Sequence, residues 1–162
     1  MQDKPYNYRQ CQSLFGYAAK VHERSGGKCQ LCGCGGDSDD FDLWRQMTVE
    51  HLIGKSQDGY LNQIRSTVEI AFPDLLPAER SALAEQLDTL NTVTACSFCN
   101  STTSRDASAV SMRELILSSS GNPAALLETA SQVLEKVLAR KQEQVRWKLE
   151  AVRAAYDAVR RA

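Results

Sequence analysis

Two Cys-x-x-Cys pairs, Cys29/Cys32 and Cys96/Cys99, stand on either side of a Glu50-His51 dipeptide, and Asn91 and Asn100 flank the second pair. Thiolates at this spacing suit one soft cation. Each pair bends into a knuckle, and two knuckles complete the tetrahedral shell of one structural Zn²⁺ per chain. Such an ion would hold together segments that lie far apart in the sequence, and would bring Glu50, His51 and Asn100 within reach of one another. Hydrolysing a phosphodiester needs a base to activate water, a cation to stabilise developing charge, and a group that holds the base in place. His51 is one of two histidines in the chain. Glu50 is a hard oxygen donor suited to Mg²⁺ or Mn²⁺. Asn100 offers a neutral oxygen ligand, and the amide of Asn91 could fix either the imidazole ring or the neighbouring loop.

These side chains need elements to position them. Leu43 to His51 is expected to be a strand, with Trp44, Met47 and Val49 among its apolar positions, and Leu90-Asn91-Thr92-Val93-Thr94 a second strand that runs into the second knuckle. Consecutive strand residues point to opposite faces, so Glu50 and His51 serve one site only where the strand ends or bends, which Gly54 permits. The glycines of the stretch from Cys29 to Gly36 supply the positive φ angles of a knuckle. Cys34 would be a fifth thiol for an ion that four sulfurs fill, and is left outside the ligand set. Asn100 is expected near the start of a helix that includes Arg105.

Around this centre, residues 8–24 show the spacing of an amphipathic helix, with Cys11 on its apolar stripe as a buried small residue and His22 near its end as an exposed or capping one. Residues 60–90 form an insertion whose best-defined piece is a helix from Pro77 to Leu87, opened by proline with Glu79 in its first turn. Asn122-Pro123 caps a long helix that continues to about residue 160. Its stripe of Leu134, Leu138, Val145, Leu149, Val152, Tyr156 and Val159 is interrupted at Lys141. At 1.5 Å per residue it would extend roughly 55 Å, too long for a domain of this size to cover.

The 162 residues suit one domain with an appendage, 1–122 and 123–162, and the net charge is −1. Charge is unevenly spread: residues 1–28 carry five basic and two acidic side chains, 29–135 six and fifteen, and 136–162 eight and three. Basic flanks around an acidic middle fit a cation-binding centre held against a polyanion, or else solvated helix faces. No run approaches the length of a membrane span, and the polar N-terminus has no apolar signal region. A cytoplasmic protein is expected, in which such knuckles serve metal binding rather than disulfides.

In order and type, these motifs resemble the HNH endonucleases. The likeness covers residues 8 to about 105: a Cys-x-x-Cys, a strand ending in Glu-His, a strand beginning with Asn, a second Cys-x-x-Cys, and a polar residue opening a helix. It implies an α+β, mainly helical fold built on a ββα-metal core, with a four-cysteine zinc site, flanking helices and the long C-terminal helix. It further implies His51 as general base, Asn91 as the middle asparagine that orients the site, Glu50 and Asn100 as ligands of a catalytic Mg²⁺ or Mn²⁺, and Arg105 as a phosphate contact. The chain departs from the family pattern at Asn100, where the name calls for histidine, which suggests a harder metal preference, and in the length of the insertion. The implied substrate is double-stranded DNA, in the manner of restriction or phage-defence nucleases. Cutting both strands would call for a homodimer, with the long helix as its interface, and the insertion could meet a partner protein. The alternative is a non-catalytic zinc module that binds nucleic acid or protein.

Overall fold

The computed structural model describes residues 19–36, 40–103 and 108–161. It is mainly helical. In chain order the elements are α1 (Ala19–Arg24), α2 (Phe41–Trp44), β1 (Met47–His51), α3 (Leu61–Ala71), α4 (Pro77–Asn91), β2 (Thr92–Cys96), α5 (Ser97–Thr102), α6 (Met112–Ser118) and α7 (Pro123–Arg160). The strands form a two-stranded sheet. They run antiparallel, since Ser97 N–H donates to Gln46 O (3.1 Å) while Leu52 N–H donates to Asn91 O (2.9 Å). Among the described residues, no helix is long and apolar enough to cross a membrane.

The chain divides into two compact units, Met1–Glu50 with Val93–Ser101, and His51–Thr92 with Thr102–Ala162, so the long helix shares a unit with the insertion. In the first unit, the knuckle is tied to β2 by a reciprocal pair: Gln30 N–H donates to Thr94 O (2.8 Å), and Thr94 N–H to Gln30 Oε1 (3.0 Å). His22 is fully buried, with Nδ1 against Thr94 Oγ1 at 3.0 Å and its ring edge-on to Trp44 at 5.8 Å. This corrects the expectation of an exposed histidine. Burial pushes its pKa below the ordinary value, which favours the neutral ring.

The start of the expected strand at Leu43 is also corrected. Asp40 caps a short helix there by accepting from Leu43 N–H (2.9 Å), and the strand begins at Met47. Asn91 is the last residue of α4 rather than a strand residue, and β2 starts at Thr92. Of the helix expected over residues 8–24, only Ala19–Arg24 is described; Cys11 lies outside the described residues.

The second unit is a helical bundle in which α3 packs on α4 and α6, and α7 on α4 and α6. Its buried side chains include Ile64, Val68, Leu83, Leu87, Met112, Ile116, Leu126, Leu134 and Val137. α4 opens at Pro77, where Glu79 Oε2 accepts from Leu76 N–H at 2.8 Å, and α7 opens where Asn122 Oδ1 accepts from Ala125 N–H at 3.1 Å. α3 is a helix of the insertion that the spacing of Pro77–Leu87 did not disclose.

In α7 the expected break at Lys141 is absent, because Lys141 is itself fully buried on the line of Val137 and Val145. Its four-carbon stem can cover apolar surface as a leucine would. Beyond Val145 the stripe is open to solvent, with Val152, Tyr156 and Val159 exposed by 49, 52 and 77%.

Gly59 closes the turn after β1, its N–H donating to Gly54 O (3.0 Å), and a Cβ at this position would run into the backbone carbonyl of Ile53. The Gly59→Ala variant is expected to lose about 2–4 kcal/mol of stability, read as a lowered midpoint in urea unfolding.

Candidate functional site

The first unit gathers thiols. The sulfurs of Cys29, Cys32, Cys34 and Cys96 all lie within 4.8 Å of one another, with Cys32 Sγ and Cys96 Sγ 4.0 Å apart. A tetrahedral Zn²⁺ with bonds of about 2.3 Å sets its sulfurs roughly 3.8 Å apart, whereas a disulfide needs about 2.05 Å. The spacing therefore matches a metal shell, and all five cysteines of this region are free thiols. Cys99 is buried in α5 and is not one of these four.

Local backbone makes the knuckle. Cys32 N–H points at Cys29 Sγ (3.5 Å), Gly33 N–H donates to Cys29 O (2.8 Å), and Gly33 takes a φ of +81°, which disfavours any side chain. The chain then returns so that Cys29 N–H meets Cys34 O at 2.8 Å. That return carries the Cys34 side chain inward. A signal for it was available in the sequence, since Cys34 lies only two residues from Cys32.

The thiols differ in acidity. A hydrogen bond from Cys96 holds the Cys29 thiol down at about 4, while the same bond, followed by burial, raises Cys96 above the ordinary thiol range. Burial, then the hydrogen bond with Cys32, pushes Cys34 up to about 12, and burial followed by the charge of Cys29 raises Cys99. Among Cys29, Cys34, Cys96 and Cys99, ionisation thus favours Cys29. A dipositive ion is the partner that lets four of them ionise together, and the all-sulfur donor set fits zinc.

Asn100 sits in α5, its Nδ2 donating to Thr48 Oγ1 (2.8 Å) and Val49 O (3.3 Å) of β1. With the nitrogen used in this way, Oδ1 is the atom the amide offers a cation. Glu50 is the next residue along β1.

In the second unit, the His51 ring lies against Tyr60 with centroids 4.4 Å apart and a 30° tilt. Asn91 is fully buried and spends its whole amide on the loop that follows His51. Ile53 N–H donates to Asn91 Oδ1 (2.8 Å), and Asn91 Nδ2 donates to Ile53 O (3.0 Å) and Gly59 O (2.9 Å). Of the two tasks foreseen for Asn91, the structure gives it the loop. Tyr60 and Gly59 were not among the residues expected to support the site. Arg105 lies outside the described residues.

Comparison with family models, curated proteins and solved structures finds no match to this chain.

Two outcomes follow from this geometry. Chelation, or Cys29→Ser, is expected to collapse the first unit, since zinc binding in such sites contributes roughly 10 kcal/mol or more to folding; bound zinc and the circular dichroism spectrum measure it together. Asn91→Asp keeps the volume but sets carboxylate oxygens against the carbonyls of Ile53 and Gly59. It should lower stability by about 2–4 kcal/mol, read from the shift in the urea midpoint.

Proposed function

We propose that the chain is a metal-dependent endonuclease of HNH type acting on DNA, with structural zinc held in the cysteine cluster. The observation that supports this most is the Asn91 amide, whose three hydrogen bonds hold Ile53 and Gly59 and so fix the backbone directly after His51. A buried asparagine committed to a loop next to the lone histidine of that stretch is a device for positioning a base.

In this reading His51 takes the proton from the attacking water, and the face of Tyr60 limits the ring to one plane. Glu50 and Asn100 Oδ1 are the oxygen donors for Mg²⁺ or Mn²⁺, and their hardness fits such an ion. Bound there, the cation would supply positive charge against the developing charge on the phosphate and the leaving oxygen. The amide of Asn100 is held for that purpose by Thr48 and Val49.

The exposed half of α7 supports a polyanionic partner. Arg146, Arg153 and Arg160 recur every seven residues and run alongside the stripe of Leu149, Val152, Tyr156 and Val159, with Lys148 on its other side. Arg146 and Arg153 face Glu143 and Asp157 of the same helix at 3.9 and 3.4 Å, and two copies paired along this stripe would add like charges at its edges, which costs stability. Phosphates meet the same residues with opposite charge. This reading assigns the face to DNA backbone in preference to a second copy.

Plasmid DNA incubated with the protein and Mg²⁺ or Mn²⁺ should be nicked or linearised, and His51→Ala should lower the rate at least about a hundredfold with zinc content unchanged. Equal DNA binding by both proteins with cleavage by neither would replace this reading with that of a zinc-stabilised binding module.

A further inference from the structure

We propose that the cleft beside Trp147 takes an unpaired nucleotide of a DNA strand, with the base stacked on the indole and the phosphate on Lys148. This rests on the reading of the chain as a DNA-acting protein, and names one contact within it. The cleft has a volume of about 520 Å³, within the roughly 300–1,000 Å³ of small-ligand sites. Both walls belong to the second unit. One is a face of α7, where Trp147, Lys148 and Ala151 follow Gln144 at the helical spacings of three, four and seven residues. The other is Thr102, at the end of α5, with Thr103 after it.

The indole takes no part in the core of the bundle. Trp147 is 60% exposed and stands two residues, roughly 200° of helix, from the buried Val145. One turn further on, Ala151 carries only a methyl group, which leaves room against the ring. In the opposite wall, Thr103 Oγ1 is buried and has no hydrogen-bond partner among the described residues. A hydroxyl both donates and accepts, and the edge of a base presents groups of both kinds. Charge selects the rest of the ligand. Lys148 lies in the cleft itself, and residues 136–162 carry eight basic and three acidic side chains, so the occupant is anionic. An open aromatic ring beside a cation is an arrangement by which single strands are held, since the base stacks and the phosphate meets the charge. In a closed duplex the base faces are covered by their neighbours. Only an unpaired or extruded base can present one to Trp147.

The test uses the full zinc-loaded chain without added Mg²⁺ or Mn²⁺, so that nothing is cut, and titrates it with a short oligothymidylate and with the same strand annealed to oligoadenylate. Binding is read from the anisotropy of a fluorescein label, and stacking from tryptophan emission with unlabelled DNA. The wild type is expected to bind the single strand with its emission quenched. Trp147→Ala should bind the single strand at least about tenfold more weakly and the duplex as the wild type does, with Trp147→Phe recovering most of the loss. Ala151→Leu fills the cleft while keeping the indole, and should weaken the single strand to a similar degree. Both positions are exposed, so the circular dichroism of the variants is expected to match the wild type. Equal losses on single strand and duplex overturn the proposal, as does unchanged single-strand affinity in Trp147→Ala and Ala151→Leu. Quenching that persists in Trp147→Phe overturns it too, since Trp44 is then its source. A wild type that binds neither form of DNA removes the underlying reading as well, and that titration, made first, separates the two failures.

Discussion

Burial and mutual hydrogen bonding of crowded thiols form the constraint the first unit is built around. With Cys29, Cys32, Cys34 and Cys96 inside 4.8 Å, the charge settles on Cys29, and Cys34, Cys96 and Cys99 are pushed away from ionisation. A dipositive ion reverses the sign of the interaction for each sulfur it touches. The backbone supplies geometry in advance through the Gly33 turn, the Gln30–Thr94 exchange and the buried contact of His22 with Thr94. Among the described residues, the apolar side chains buried in this unit besides its cysteines are Val21, Leu31, Met47, Val93 and Ala95. The thiols are placed to staple the segments that carry them.

The second unit is stabilised by ordinary means. Apolar residues of α3, α4, α6 and α7 are covered by one another, and Asn91 is one of its fully buried polar groups. Burying an amide costs free energy unless each donor and acceptor finds a partner, and here Ile53 and Gly59 provide all of them. The same bonds that satisfy the amide shape the loop after His51. One side chain thus links helix stability to the placement of a candidate base.

The sequence disclosed most where a residue type has few uses. Cysteines paired across two residues, Asn122 before Pro123, and Pro77 with Glu79 each carried a specific local geometry, and the knuckle, α7 and α4 appear where they were expected. It disclosed less where type and context pull apart. Lys141 looked like an interruption because its charge outweighs its methylenes in any hydrophobicity pattern, yet its stem lies in the buried line of α7. His22 was expected to be exposed or capping because it lies near a helix end, and its tertiary partners Thr94 and Trp44 explain its burial. Asp40 and the residues it caps form a helical turn too short for periodicity to reveal. Cys34 was set aside by counting ligands, and no count can show which way a side chain turns after a glycine of positive φ.

The first unit is discontinuous in the chain, its two parts separated by His51–Thr92. That interruption sets an order of assembly during synthesis on the ribosome. The α3–α4 hairpin joins residues close in sequence and can form as soon as it emerges, at low cost in loop entropy. Cys29, Cys32 and Cys34 are made early but must wait for Cys96 before their site closes. Until then they are a nascent, three-thiol metal trap. Translation speed through the insertion therefore sets how long that trap stays open to the wrong ion or to oxidation.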